Sequence, residues 1–345
     1  MVRKYEGGLF TPALDLSART IRLDPSGVFL AAAKDRVMKI YQVVEEKEVA
    51  SLEFFHSVCL LAWSDPLRVI CASNEGYVYV IDLAERGARV FLFQSQQCSP
   101  SGIDALRLAS GHTVLAIAGS FTLEVFIQDP TSNLWRLALK VSEFPNDSDP
   151  TPVVGVHLIK KENTILMYSV YLDRGVRVWN VSHEPTMISE QSFINKIDCK
   201  KACVTPDGKI IAVFDGLDGF ELFSVQGNGE SLHISMAGSG RSPLVPMTFI
   251  HAGCLLAAGN VDGELRIWDV GDGTRLQNLR HDGEAIQDLT VSLPSFTTGL
   301  AFTKLKSALS LGDTPDGDRF TIATVAKSDH LESKIWVWRG VEVGE

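Results

Sequence analysis

A chain of 345 residues that is 45% hydrophobic and 21% charged, with a formal net charge of −10, has ample material for a buried core. Its acidic balance argues against non-specific attraction to nucleic acid or an anionic membrane surface, which needs a basic face. No uncharged apolar stretch approaches the roughly 18 residues of a membrane span, and the start, MVRKYEGGLF, lacks the apolar segment of a secretory signal.

In chain order, one short unit keeps returning. Residues 4–11 (KYEGGLFT) read as a lone strand. Residues 20–42 then read as strand, Asp-Pro-Ser-Gly turn, strand, turn, strand. The pattern recurs at residues 60–82, 103–127, 153–180 and 200–224. Its clearest copy ends in LLAAGNVDGELRIWD, residues 255–269. There a short apolar run meets an Asn-Val-Asp-Gly turn, and Leu265, Ile267 and Asp269 then alternate with Glu264, Arg266 and Trp268. That alternation is the period of a strand, and the turn residues tolerate positive φ. A degenerate seventh copy ends at residues 318–339.

These units resemble WD40 repeats, with Trp268-Asp269 as the eponymous dipeptide. The matching pairs elsewhere are Ile40-Tyr41, Ile81-Asp82, Val125-Phe126, Trp179-Asn180, Phe223-Ser224 and Trp336-Val337. Counting between second members gives intervals of 41, 44, 54, 44, 45 and 68 residues, four of them in the roughly 40–45-residue period of such repeats. Insertions at residues 144–152 and 294–318 account for the two long ones. The inner strand of the last unit is either AIQDLTVSL or TGLAFTKL. The resemblance implies an all-β, seven-bladed WD40-type β-propeller in one domain. Its blades fall at approximately 18–55, 58–95, 102–142, 152–192, 197–236, 244–280 and 285–340. Because the last unit stops soon after its third strand, residues 4–11 are expected to supply its outer strand and close the ring.

Many WD40 blades carry a buried network of Gly-His, Asp, Ser/Thr and Trp. Asp262 matches the Asp position of the sixth unit, which has no matching His. His281 resembles the leading His of the last unit, with Arg280 in place of Gly. The networks are therefore expected to be mostly missing and the blades to pack through apolar contacts.

No motif announces chemistry. Cys199 and Cys203 lie on one face of a strand without the second ligand pair of a zinc site. Residues 215–219 and 313–318 lack the alternating oxygen donors of a calcium loop. Residues 238–242 (GSGRS) lack the ending and helix of a P-loop, and no G-x-S-x-G elbow occurs. No cofactor, metal or catalytic residue is expected. The six cysteines, Cys59, Cys71, Cys98, Cys199, Cys203 and Cys254, sit mostly among apolar strand residues and read as buried thiols. They point to an intracellular protein, cytoplasmic or nuclear.

What remains is a binding surface on the face that carries the blade-to-blade loops, which the resemblance implies for peptide and protein partners. Candidate contacts are Phe54, Phe55, His56, Tyr171, Asp173, Arg174, Arg241, His281 and His330, because aromatic and Arg side chains are enriched at interface hot spots. The expected function is a non-catalytic scaffold or peptide-recognition module, monomeric within a larger complex. The alternative is a propeller hydrolase or lactonase with residues gathered at the central channel.

Overall fold

The computed structural model describes residues 3–10, 18–83, 89–95, 99–119, 121–142, 151–162, 164–172, 174–182, 185–191, 199, 201–214, 216, 219–225, 231–236, 246–260, 262–281, 285–291, 321–327 and 333–342. These residues form seven four-stranded antiparallel sheets, each built in the order inner, second, third and outer strand. The inner strands are Thr20–Leu23, Val58–Asp65, Gly102–Arg107, Val153–Lys161, Lys201–Val204, Met247–Ile250 and Ala285–Val291. Contacts between successive inner strands run around the molecule, and the last, Ala285–Val291, touches the first, Thr20–Leu23. The result is a closed seven-bladed propeller.

Second strands such as Thr113–Ala118 are buried at every position. A sheet that apolar on both faces must sit between two others, and radial packing provides that. Core clusters accordingly span neighbouring blades, as where Phe220 of the fifth, itself against Phe214, meets Trp268 of the sixth. The turns follow local chemistry. Asp24 accepts the backbone N–H groups of Ser26 (2.9 Å) and Phe29 (2.6 Å), and Gly27 takes the φ of 72° that closes the turn. In the sixth blade Asn260 does the corresponding work, accepting from Asp262 N (3.1 Å) and Glu264 N (2.7 Å).

Ring closure follows the expectation. Strand Arg3–Leu9 pairs antiparallel with Ser333–Glu342, Leu9 opposite Trp336 and Gly7 opposite Trp338. The N-terminal segment is thus the outer strand of the seventh blade. The inner strand of that blade is Ala285–Val291, the AIQDLTVSL choice; the competing TGLAFTKL lies outside the described residues.

The ladders also correct the repeat alignment. In four blades the outer strand is bulged just before the position held by Trp268, at Tyr41, Phe126, Trp179 and Trp268 itself. Counted from the start of the third strand, the equivalents in the second and fifth blades are Ile81 and Phe223. In the seventh it is Trp338, which pairs with Ile322 and bonds Thr324 as Trp179 pairs with Met167 and bonds Ser169. The sequence pairs Ile40-Tyr41 and Val125-Phe126 are therefore displaced by one residue and Trp336-Val337 by two. A two-residue slip keeps the same face of a strand, so alternation alone does not reveal it. One thiol departs from expectation: Cys254 is exposed, while Cys71, Cys199 and Cys203 are buried. Cys98 lies outside the described residues.

Candidate functional site at the loop face and the channel mouth

The residue after each outer strand begins the loop to the next blade, and its backbone fixes where its side chain goes. Phe54 N donates to Arg36 O (2.8 Å), Ser95 N to Gly76 O (2.8 Å), His281 N to Gly263 O (2.7 Å) and Phe10 N to Ile335 O (2.7 Å). Each of these side chains is buried against the following blade. Phe54 meets Tyr79 with ring centroids 4.6 Å apart, and Phe10 meets Tyr41 edge-on at 5.6 Å. Ser95 donates to Glu124 at 2.6 Å. His281 Nε2 lies 2.9 Å from Thr324 Oγ1, which also accepts the Trp338 indole N–H at 3.4 Å.

That last group overturns part of the expectation about buried networks. The seventh blade holds the His–Thr–Trp portion, and the fourth retains a fragment in which Trp179 Nε1 donates to Ser169 Oγ at 3.0 Å. The sixth, with the intact Trp-Asp dipeptide, has Ala258 at the position matching Ser169 and Thr324, and its Asp262 is exposed. The dipeptide and the network are separable features.

Of the candidate contact residues, Phe54, Tyr171 and His281 are therefore inside seams. Tyr171 is 1% exposed with the Arg177 guanidinium stacked 4.7 Å from its ring centroid. Arg174 is half-buried at the start of a third strand. Asp173, Arg241 and His330 lie outside the described residues. Phe55 is the opposite case, at 88% exposed. Beside it the His56 ring stacks on Tyr77 at 3.9 Å and 11°, with Glu75 3.8 Å from His56 Nδ1. Phe54 anchors the loop and Phe55 projects from it, so adjacent residues of one type have opposite fates.

The second feature is the central channel, a cavity of about 350 Å³ bounded by the inner strands. Aligned on the position of Trp179, Trp268 and Trp338, the ladders place Thr20, Leu60, Gly102, Gly155, Lys201, Pro246 and Asp288 at one level, near the loop face. Arg22, Ala62, Asp104, His157, Cys203, Thr248 and Thr290 lie one level deeper. Every inner strand is an edge strand whose outward backbone groups need partners. The polar side chains supply them across the blade boundaries. Asp288 accepts from Ile21 N (3.0 Å) and Thr20 Oγ1 (3.0 Å), and Thr290 accepts from Leu23 N (3.1 Å). Asp104 accepts from Leu158 N (2.7 Å), and Arg22 Nε donates to Leu61 O (3.2 Å). His157 Nε2 lies 3.2 Å from Ala202 O, an acceptor, so this nitrogen carries the proton.

Burial sets the protonation of these groups. It raises the Asp104 carboxyl to about 6, with backbone donors and Arg22 pulling the other way. It lowers His157 to about 4, helped by the cations Arg22 and Lys201. Lys201 is also pushed below its ordinary value, mainly by burial and secondarily by Arg22, against the pull of Asp288. No sequence motif marks these residues, because their common level exists only after the strands are in register.

No family model matches the chain, and no curated protein matches it. Among solved structures, the β-propeller domain of Cps50 (Swd1) from Myceliophteria thermophila is similar, with a TM-score of 0.63 over 93% of this chain and 96% of that one. The fold is a seven-bladed β-propeller. At 13% identity the likeness is one of architecture alone. Within that propeller, the loop face and the channel mouth lie on the same side, because the inner strands start from the loops that carry Phe55 and its neighbours. No helix among the described residues is long and apolar enough to cross a membrane.

Proposed function

We propose that this propeller is a non-catalytic interaction module that holds a peptide or protein segment on its loop face, centred on Phe55. The observation that carries the reading is a fully presented aromatic ring, 88% exposed, mounted on a buried anchor and flanked by the His56–Tyr77 stack. A large apolar side chain fixed in water gains by being covered, and rigid aromatic groups bind at low entropic cost. Arg174 is a proposed contributor on the same face, and Asp173, Arg241 and His330 are proposed contributors as well. The likeness to the β-propeller domain of Cps50 (Swd1) supports an interaction scaffold in general terms.

A propeller hydrolase would recruit Asp104, His157 and Asp288. Those side chains are engaged with backbone groups of neighbouring blades, which supports a structural role for them.

The test is affinity purification from the native host with the wild-type chain and with Phe55→Ala and Arg174→Ala. Loss of a partner in Phe55→Ala, with folding retained, supports the assignment. Identical partners in both variants move the binding surface elsewhere.

A further inference from the structure

We infer that the loop-face mouth of the channel is a binding site for a small free oxyanion, of the phosphate or carboxylate class, held by Lys201 with Arg22 one level below. The inference stands apart from the Phe55 surface and does not depend on it.

Asp288, Thr290, Asp104, His157 and Arg22 each reach across to a neighbouring inner strand and satisfy a backbone group there. Lys201 does not. It lines the cavity, yet among the described residues no acceptor lies within hydrogen-bonding distance of its ammonium and no carboxylate within 4.0 Å. An ammonium with three donors, held in a confined channel without an acceptor, calls for an anion or its equivalent.

The surroundings leave room for one. At the level of Lys201 the adjacent blades contribute Gly155 and Pro246, neither of which brings a charge or a long side chain. A Cβ added to Gly155 would meet His157 Nε2 at 3.7 Å and Ala202 O at 3.9 Å, ordinary contact distances, so Gly155 itself leaves its part of the channel wall unfilled. The cavity of about 350 Å³ is on the order of ten times the volume per water molecule in the liquid. That accommodates an oxyanion with part of its hydration shell.

A second cation is in place below. Arg22 donates through Nε to Leu61 O (3.2 Å) and through Nη1 to Leu289 O (3.5 Å), which uses two of the five N–H groups of a guanidinium. The remaining donors supply the planar recognition that oxyanions favour. The channel also holds two carboxylates, and their placement matters. Asp288 is spent on Thr20, Ile21 N and Leu289 N, and Asp104 on Leu158 N and Ala105 N. Each is clasped by donors, and although Asp288 attracts the Lys201 ammonium through space, neither carboxylate bonds it.

The test titrates inorganic phosphate into the full chain in a chloride buffer by isothermal calorimetry. Lys201→Met, Lys201→Arg and Phe55→Ala are compared with the wild type. The expected result is saturable one-site binding by wild type and Phe55→Ala, competed by a dicarboxylate such as succinate. Lys201→Met should bind at least about tenfold more weakly, the scale of one charge-assisted hydrogen bond, and Lys201→Arg should retain most of the affinity. Absence of saturable binding in the wild type overturns the inference, and so does undiminished binding in Lys201→Met. Thermal melting without phosphate gives an independent readout. Lys201→Met should melt at or above the wild-type temperature, because burial costs the Lys201 ammonium more than the through-space pull of Asp288 returns. A clear loss of stability would show that the ammonium already has a bonded protein partner, and would overturn the site.

Discussion

The seam between the first and second blades and the seam between the sixth and seventh use the same backbone device for different chemistry. In both, the residue after an outer strand donates its N–H to the carbonyl preceding the third strand, Phe54 to Arg36 and His281 to Gly263. In one the side chain is an aromatic ring lying on Tyr79; in the other it is an imidazole bonded to Thr324 beside Trp338. The comparison teaches that the bent-in side chain is the structural requirement. A polar network is one way of filling the seam. Where the second-strand position is Thr324, a hydrogen-bonding residue is needed; where the neighbours are apolar, a ring of similar size suffices.

The largest effect should come from emptying the apolar seam. Phe54→Ala is expected to cost about 3–5 kcal/mol in denaturant unfolding, the scale for truncating a buried Phe. A loss below about 1 kcal/mol would mean that the seam collapses onto Tyr79 and that the comparison overstates the anchor. Replacing His281 by Leu keeps bulk but strips Thr324 of a buried partner, for an expected loss of about 2 kcal/mol. If His281→Phe instead restores stability to within about 0.5 kcal/mol of the wild type, the two seams are interchangeable by shape alone.

The channel offers a sharper contrast, between groups that titrate in opposite senses. Asp104 is raised to about 6 in the folded state from an ordinary 3.8, so the folded state binds the extra proton. Its contribution to stability therefore falls as pH rises from about 4 to 6. His157 is lowered to about 4 from 6.5, so the unfolded state binds the extra proton and stability rises over nearly the same window. The two should nearly cancel, leaving wild-type stability flat there as far as these groups decide it. Asp104→Asn should expose the His157 slope, with stability climbing from pH 4 to 6.5, and add about 1 kcal/mol at pH 7 after allowance for channel water. His157→Gln should expose the opposite slope. Parallel profiles for the two variants would refute the assignment.

Smaller effects separate architecture from surface. Ser169→Ala removes the partner of the Trp179 indole N–H and should cost about 1 kcal/mol. Phe55→Ala should change stability by less than about 0.5 kcal/mol, as exposed positions do, while weakening partner binding. Measured together on one purified protein, Phe54→Ala and Phe55→Ala would show two adjacent phenylalanines dividing stability and recognition between them.

Much of the architecture is legible in the residues. The repeated turn–strand units, the short last unit and the lone strand at residues 4–11 already imply a ring closed by the N-terminus, because sheets apolar on both faces need neighbours on both sides. The turns are legible too, since Asp24-Pro25-Ser26-Gly27 satisfies its own backbone locally. Less legible is anything that depends on phase. Trp336 and Trp338 share a face of one strand, so the choice between them rests on pairing with Ile322 and Thr324, residues beyond the long insertion.

The functional residues divide along the same line. The aromatic pair at 54 and 55 is visible in the sequence, but which ring turns inward is decided by the hydrogen bond from Phe54 to Arg36. Arg22, Asp104, His157, Lys201 and Asp288 come from five blades, and nothing near any one of them in sequence marks it. Local chemistry and period by themselves determine the unit, its number and its closure, because those depend on neighbours along the chain. Only the tertiary structure decides which side chains meet in a seam or around the channel, because that depends on strand register and on the radial packing of blades far apart in sequence.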